Sequence, residues 1–259
     1  MSCIAVIPAR MQSTRLPGKP LADIGGQPMI VRVAERVTQS KVDRVVVAAD
    51  DVNVSREVER AGYEVVMTNP NHESGSDRVH EVAALIGLNE ADIVVNVQGD
   101  EPLIPPQAID YLLQHTLACQ QTHGNQIMAT LCEPLAAPEN FVDANVVKVV
   151  TTNQQQALYF SRAPIPYSRD EEPQHLGPTQ LSEIGAKRHV GIYAFTEGSL
   201  AKFVGLANTS RLEHIERLEQ LRWLEAGLPL YVFESPVQIP GGVDTPEDLQ
   251  KVQQLWSQQ

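Results

Sequence analysis

Five short runs rich in β-branched residues, "CIAVIPA", "RVVVAA", "EVVMT", "DIVVNVQ" and "IMATLCE", are separated by stretches whose apolar residues recur at helical spacing. Parallel strands need a crossover long enough to carry the chain back, and an amphipathic helix supplies it, so this alternation predicts βαβ units. After Pro28, "MIVRVAERVTQS" puts Ile30, Val33, Ala34 and Val37 on one helical face. Further helices are expected in "SREVERA", in "SDRVHEVAALIGL" with Ser76 as its cap, and in "PPQAIDYLLQHTLACQQ". The expected class is α/β, with a mixed, mostly parallel sheet and helices on both faces. At 259 residues the chain is long enough to bury a full core.

After Pro134 the rhythm changes. "NVVKVVTT" and "ALYFSRAPI" follow each other without a helix, which predicts a local antiparallel pair. Residues 168–188 contain few apolar groups and are expected to be a long mobile loop, a lid that closes over a substrate. "HVGIYAF" is a further strand, and "LEHIERLEQLRWLEAG" reads as one helix ended by Gly227, with Leu212, Ile215, Leu218 and Leu221 on its buried stripe. "LPLYVFES" is the last strand. "TPEDLQKVQQLWSQQ" closes the chain as a helix with Thr245 as cap and Pro246 in the first turn. Trp223 and Trp256 are expected in packing or at an interface.

The loop after the first strand is unusual for a chain of net charge -12: residues 1–22 hold Arg10, Arg15 and Lys19 and no acidic residue. Pro8, Pro17, Pro20 and Pro28 keep this region out of helix. Ligands of open α/β sheets sit beyond the carboxyl ends of the strands. Three cations there, with Ser13, Thr14 and Gly18 among them, therefore point to an anion such as a phosphate. Two familiar phosphate motifs do not fit. "PGKP" has no Ser or Thr after its Lys, and no G-x-G-x-x-G follows the first strand, which disfavours a nicotinamide-dependent oxidoreductase. The overall acidity also argues against nucleic acid as a partner.

Two acidic positions complement the loop. "VVNVQGDEP" ends the fourth strand with Asp100, and "GGVDTPEDL" places Asp244 at another strand-to-helix junction. Each alone is an ordinary turn residue; Asp50 and Asp51, after the second strand, read as helix caps. Magnesium favours one or two carboxylates together with substrate phosphates. Two aspartates plus several cations therefore suit phosphoryl or nucleotidyl transfer. Cys3, Cys119 and Cys132 show neither disulfide nor zinc spacing, the remaining histidines other than His189 show no ligand spacing, and no segment reads as a signal peptide or membrane span. A cytoplasmic protein without membrane insertion is expected.

Taken in order, "IPAR..STRLPGKPL", "SG.DR", "VNVQGDEP", "VVK", "ALYFSRA.IP", "HVGIYAF", "LE.LEQLR" and "GVDTPEDL" resemble the CMP-KDO synthetase family, the 3-deoxy-manno-octulosonate cytidylyltransferases, over nearly the whole chain. The resemblance implies a Rossmann-like fold of nucleotide-diphospho-sugar transferase type. It also implies a single domain, 1–259, with a smaller sugar-binding and dimerisation lobe inserted at about 134–195, and a homodimer. It implies transfer of CMP from CTP to 3-deoxy-D-manno-octulosonate (KDO) with Mg²⁺, for lipopolysaccharide assembly. Arg10, Ser13, Arg15 and Lys19 would bind the triphosphate, with Lys19, Arg10 and Asp100 the catalytic residues. Ala9, Ser74, Arg78 and Gln98 would also contact the nucleotide. Asp100 and Asp244 would hold magnesium, while Arg162, His189, Tyr193, Glu219 and Gln220 would line the sugar pocket. A related acid sugar such as 8-amino-KDO, or a non-catalytic nucleotide-binding protein of the same fold, are the competing readings.

Overall fold

The computed structural model describes residues 1–13 and 15–257; Thr14, named above with the cationic loop, and the last two residues of the segment expected as the closing helix lie outside them. Strands β1 (Cys3–Ala9), β4 (Arg44–Ala49), β5 (Glu64–Met67) and β6 (Ile93–Asn96) are parallel neighbours in the order β5-β4-β1-β6. Beside β6 lies β10 (Lys187–Thr196), which runs antiparallel to it, followed by β7 (Met128–Pro134) and β11 (Tyr231–Glu234), parallel to each other. A separate two-residue ladder joins β2 (Asp23–Ile24) to β3 (Gln27–Pro28).

Residues of β1 alternate between two cores. Ala5, Ile7 and Ala9 face helices α1 (Met29–Val37), α2 (Val52–Arg60) and α4 (Pro106–His123), while Ile4 and Val6 face α3 (Gly75–Leu85), α7 (Glu197–Gly205) and α9 (Leu221–Glu225). Each buried Val or Ile here contributes about 1.5–3 kcal/mol relative to exposure. Ile30, Val33, Ala34 and Val37 are fully buried, as the helical spacing requires. Trp223 is buried as well, and its indole N–H donates to the Pro229 carbonyl (2.8 Å).

Pro8 belongs to β1, as the run "CIAVIPA" predicts, although it opens the proline-rich stretch. It pairs with Ala48 of β4 at a point where pairing with β6 has already ended at Val6–Asn96, so its missing N–H breaks no ladder bond there. The loop that follows contains a 3₁₀ turn at Lys19–Leu21, entered through Gly18 at φ 68°. Residues 15–27 are thus folded into bends, this 3₁₀ turn and the β2–β3 ladder.

Four other expectations need correction. Helix α3 is capped by Ser74, not Ser76: Ser74 Oγ accepts from Asp77 N and the Asp77 carboxylate accepts from Ser74 N (3.1 Å each), a reciprocal box Ser76 cannot form. Asp51 does cap α2, but Asp50 instead accepts from Met11 N (2.9 Å) and pairs with Arg78 (3.2 Å). The single helix expected at 212–226 is broken into α8 (Arg211–Glu216) and α9 by Arg217, which is left-handed at φ 53°. The break turns Glu216 toward Ser161 Oγ and Arg162 N, and it leaves Ile215 64% exposed, off the supposed stripe.

The fourth correction concerns residues 168–188. They hold a 3₁₀ turn (Pro173–His175) and helix α6 (Pro178–Glu183), and Leu176, Leu181 and Ala186 are buried against Leu135 and against Phe141 of α5 (Pro138–Val142). Three apolar side chains suffice because they close a small separate core, so the stretch is a packed element rather than an open loop. Strands β8 (Lys148–Thr151) and β9 (Ala157–Ser161) form the expected antiparallel pair, joined to the sheet where Lys148 meets Arg188. The Lys148 ammonium is buried and donates to the carbonyls of Asp143, Val146 and Arg162 (2.7–2.8 Å), which ties β8, β9 and the preceding turn together; burial lowers its pKa. Helix α10 (Pro246–Trp256) carries a second capping box, Thr245 with Asp248, and lays Trp256 over Arg32.

Candidate active site

The carboxyl ends of β1 and β6 open into a cleft of about 560 Å³. Pro8, Ala9, Arg10, Ser13, Arg15 and Lys19 line one side, Ser74 and Arg78 of the α3 end another, and Gln98, Gly99, Asp100 and Asp244 the floor and far rim. Every residue expected to bind nucleotide, catalyse or hold metal is on that wall. Gly99 makes this possible: a Cβ there would stand 2.5 Å from the Pro8 carbonyl oxygen, so a larger residue would push the β6 end off the β1 end. Gly242 does the same on the other flank, where a Cβ would lie 3.2 Å from the Asp100 carbonyl. Val243 N then donates to that carbonyl (2.8 Å), which brings Asp244 alongside Asp100.

The Lys19 ammonium lies between the two aspartates. It donates to Asp100 Oδ2 (2.6 Å), Asp244 Oδ1 (3.1 Å) and the Val243 carbonyl (3.1 Å), and Arg15 Nη2 reaches Asp244 Oδ1 (3.0 Å). Residues 81 and 225 positions apart thus share one charge cluster. Arg10 is exposed at the mouth. Ser13 Oγ accepts from Leu16 N (3.3 Å) and shapes the turn. Arg78 is 3% exposed and its donors go to Asp50, Thr68 and the Asn69 carbonyl, so it braces the wall through Asp50 and Met11 N. Gln98 Nε2 donates to the Gly191 carbonyl (3.2 Å), joining the β6 end to β10.

The donor set suits a divalent cation in one respect. Two carboxylates meet around a single positive centre, and oxygen ligands of this kind leave the remaining positions to phosphate and water. Among the described residues no group of three or more His, Cys, Asp or Glu could hold a metal unaided. Next to Asp100, the Glu101 carboxyl is pushed up to about 8, first by burial and then by the Asp100 charge.

The five residues expected around a sugar are placed differently. Glu219 alone lines the cleft; its carboxyl accepts from Ser76 Oγ (2.9 Å), and burial raises its pKa. Tyr193 lies near it on β10, its hydroxyl raised well above the ordinary value by burial and by the Glu219 charge. His189 packs 5.4 Å from Tyr193 and 5.0 Å from Phe160. Burial, aided by the neighbouring Arg188, lowers its pKa to about 3. The Thr130 hydroxyl has one proton, and two carbonyls, Val190 and Ile192, compete for it, so it accepts from His189 Nε2–H (3.0 Å). Gln220 is buried, and its Nε2 has no hydrogen-bond partner among the described residues. Arg162 stands apart, its guanidinium donating to the carbonyls of Ala144, Glu216 and Arg217.

The cytidylyltransferase family model matches residues 4–235. The 3-deoxy-manno-octulosonate cytidylyltransferase of Cellvibrio japonicus is 47% identical over 98% of both chains, and that of Saccharophagus degradans 48% identical over 97% of both. The chain belongs to the 3-deoxy-manno-octulosonate cytidylyltransferase family. A solved CMP:2-keto-3-deoxy-manno-octonic acid synthetase complexed with CTP is 40% identical, with TM-score 0.88 over 100% of this chain and 99% of that one. The 4-diphosphocytidyl-2C-methyl-D-erythritol synthase structure, at 15% identity and TM-score 0.61, shares the fold alone.

For a cytidylyltransferase of this family, sequence reasoning overlooked Gln12 and Glu73, which also line the cleft. Their signal was position: each adjoins a residue already singled out, Ser13 and Ser74. Thr130, which fixes the His189 tautomer, carried no signal, because nothing marks a threonine inside "IMATLCE" as the cross-strand partner of a distant histidine.

Proposed function

We propose that this chain transfers CMP from CTP to the anomeric hydroxyl of KDO, releasing pyrophosphate, in the cytoplasmic phase of lipopolysaccharide synthesis. The observation that carries the reading is the Lys19 ammonium held between Asp100 and Asp244 beside Arg15. In the attack, a bond forms from the sugar oxygen to the α-phosphorus, the bond to the bridging oxygen breaks so that this oxygen leaves with pyrophosphate, and the hydroxyl proton passes to solvent water. Arriving phosphates compete for the cations that now pair with the aspartates, so Lys19 and Arg15, joined by exposed Arg10, turn to the charge growing on the α-phosphate and the leaving group. Asp100 and Asp244 would hold Mg²⁺, which supplies charge neutralisation and a more acidic hydroxyl when bound.

On the sugar side, neutral groups do the work. His189, uncharged above pH about 3, and Tyr193, uncharged through the working range, offer hydrogen bonds in a partly buried wall. With its Nε2–H given to Thr130, His189 presents Nδ1 as an acceptor and Tyr193 its hydroxyl, and such groups suit a polyhydroxylated acid whose hydroxyls lose water on entry. A homodimer fits the exposed apolar side chains Val142, Leu158 and Tyr167 of the inserted lobe and Ile215 beside it. A reducing compartment fits three free thiols.

The test is pyrophosphate release with CTP and KDO, against UTP and 8-amino-KDO as alternatives. Release with CTP and KDO, dependent on Mg²⁺, is expected. No release from any pair overturns the enzymatic reading, and faster release with 8-amino-KDO reassigns the sugar.

A further inference from the structure

Ten residues, 235–244, run without helix or strand from the end of β11 to the cap of α10, and they carry Asp244 at their far end. A segment of that length with Gly241 and Gly242 in it has no local reason to deliver a carboxylate to one place. It is held midway by an ion pair on the neighbouring strands. Glu133 of β7 and Arg188 of β10 are register partners, and Arg188 Nε donates to Glu133 Oε2 (2.6 Å). Together they grip both polar groups of one peptide residue. Ile239 N donates to Glu133 Oε1 (2.6 Å), and Arg188 Nη2 donates to the Ile239 carbonyl (2.5 Å). The Ile239 side chain is 2% exposed in the main core, so the anchor is fixed from both sides. Between this point and the Val243–Asp100 hydrogen bond only Pro240, Gly241 and Gly242 remain, and Pro240 is itself restricted.

We propose that Glu133 and Arg188 are positioning residues for Asp244: by gripping Ile239 they set where its carboxylate meets Asp100 and Lys19. The proposal rests on the assignment of Asp244 to the catalytic cluster. It also links the two halves of the site, because Arg188 precedes His189 on β10. A shift at the sugar-side end of that strand is thereby felt by the aspartate across the cleft.

Two variants and two readouts test it in the full-length protein. Glu133→Gln keeps the shape but loses the charge, and Arg188→Lys keeps the charge but loses the fork. In both, amide hydrogen exchange should rise in segment 236–245, with Val243 N–H the reporter, while β1 and β6 stay protected. In CMP-transfer kinetics, kcat/KM should fall by about ten- to a hundredfold in the wild-type background, as misplacement of a reacting group predicts. In an Asp244→Ala background the same substitutions should add less than about twofold, since residues acting through one group are non-additive. Unchanged exchange in 236–245, a rise spread equally through β1 and β6, or an equal kinetic loss in both backgrounds overturns the positioning role. Wild-type turnover in Asp244→Ala alone overturns instead the assignment of Asp244, and the exchange result separates the two failures.

Discussion

The side proposed for phosphate and the side proposed for sugar are built in opposite ways. The proposed phosphate side is wet and charged: Arg15 and Asp244 keep 62% and 47% of their side-chain surface exposed, and Lys19 and Arg15 are paired with Asp100 and Asp244. The proposed sugar side is drier, with Glu219 on the cleft and Tyr193 and His189 buried behind it, all three shifted by burial toward their uncharged forms. A polyanion has charge enough to displace internal ion pairs, so that wall can wait with its charges provisionally satisfied. A sugar offers hydroxyls, which gain most from groups that have already lost their water.

The hardest way to break that contrast is at its centre. Asp100→Ala should lower turnover by about three orders of magnitude or more, with the circular dichroism spectrum and thermal midpoint near wild type; turnover within tenfold of wild type would remove Asp100 from catalysis. Lys19→Ala should cost about a hundredfold or more in kcat while leaving the sugar KM nearly unchanged. Glu219→Ala should sharpen the contrast from the other side, raising the sugar KM about tenfold with the CTP KM nearly constant. Glu219→Gln, which mimics the protonated acid favoured by burial, should lie closer to wild type.

His189 gives a stability effect with a fixed sign. Its pKa is about 3 folded and near the ordinary 6.5 unfolded. Between those values the unfolded chain binds the extra proton, so stability falls as pH drops from 6.5 toward 3. In His189→Gln the fall in urea midpoint between pH 6.5 and 4.5 should be shallower, and a slope equal to wild type would show that the ring titrates normally. The smallest effect belongs to Arg15→Ala. An exposed partner of one carboxylate should cost about two- to fivefold in kcat/KM, and less at high salt.

The strands, the buried face of α1 and the Thr245 cap were legible because periodicity and capping are local. The cationic loop and the two aspartates were legible as separate motifs for the same reason. What sequence could not show was that Lys19 stands between those aspartates, since that contact depends on close approaches at Gly99 and Gly242. The misassigned cap shows a finer limit. Ser74 and Ser76 are equally good by type, and only the reciprocal bond with Asp77 selects the first. The break at Arg217 was hidden for a tertiary reason: its strained backbone is held by Arg162 and by the turned Glu216, contacts more than fifty residues apart in the chain.

The reversed direction of β10 has a lasting effect. Its opening residues overhang the edge where β1 and β6 finish, so one face of the gap is built by a strand starting and the other by strands stopping. A change at the beginning of that ribbon or at the bend of Arg217 therefore reshapes one face of the gap, while the loops that follow β1 and β6 keep Arg10, Lys19 and Asp100 on the other.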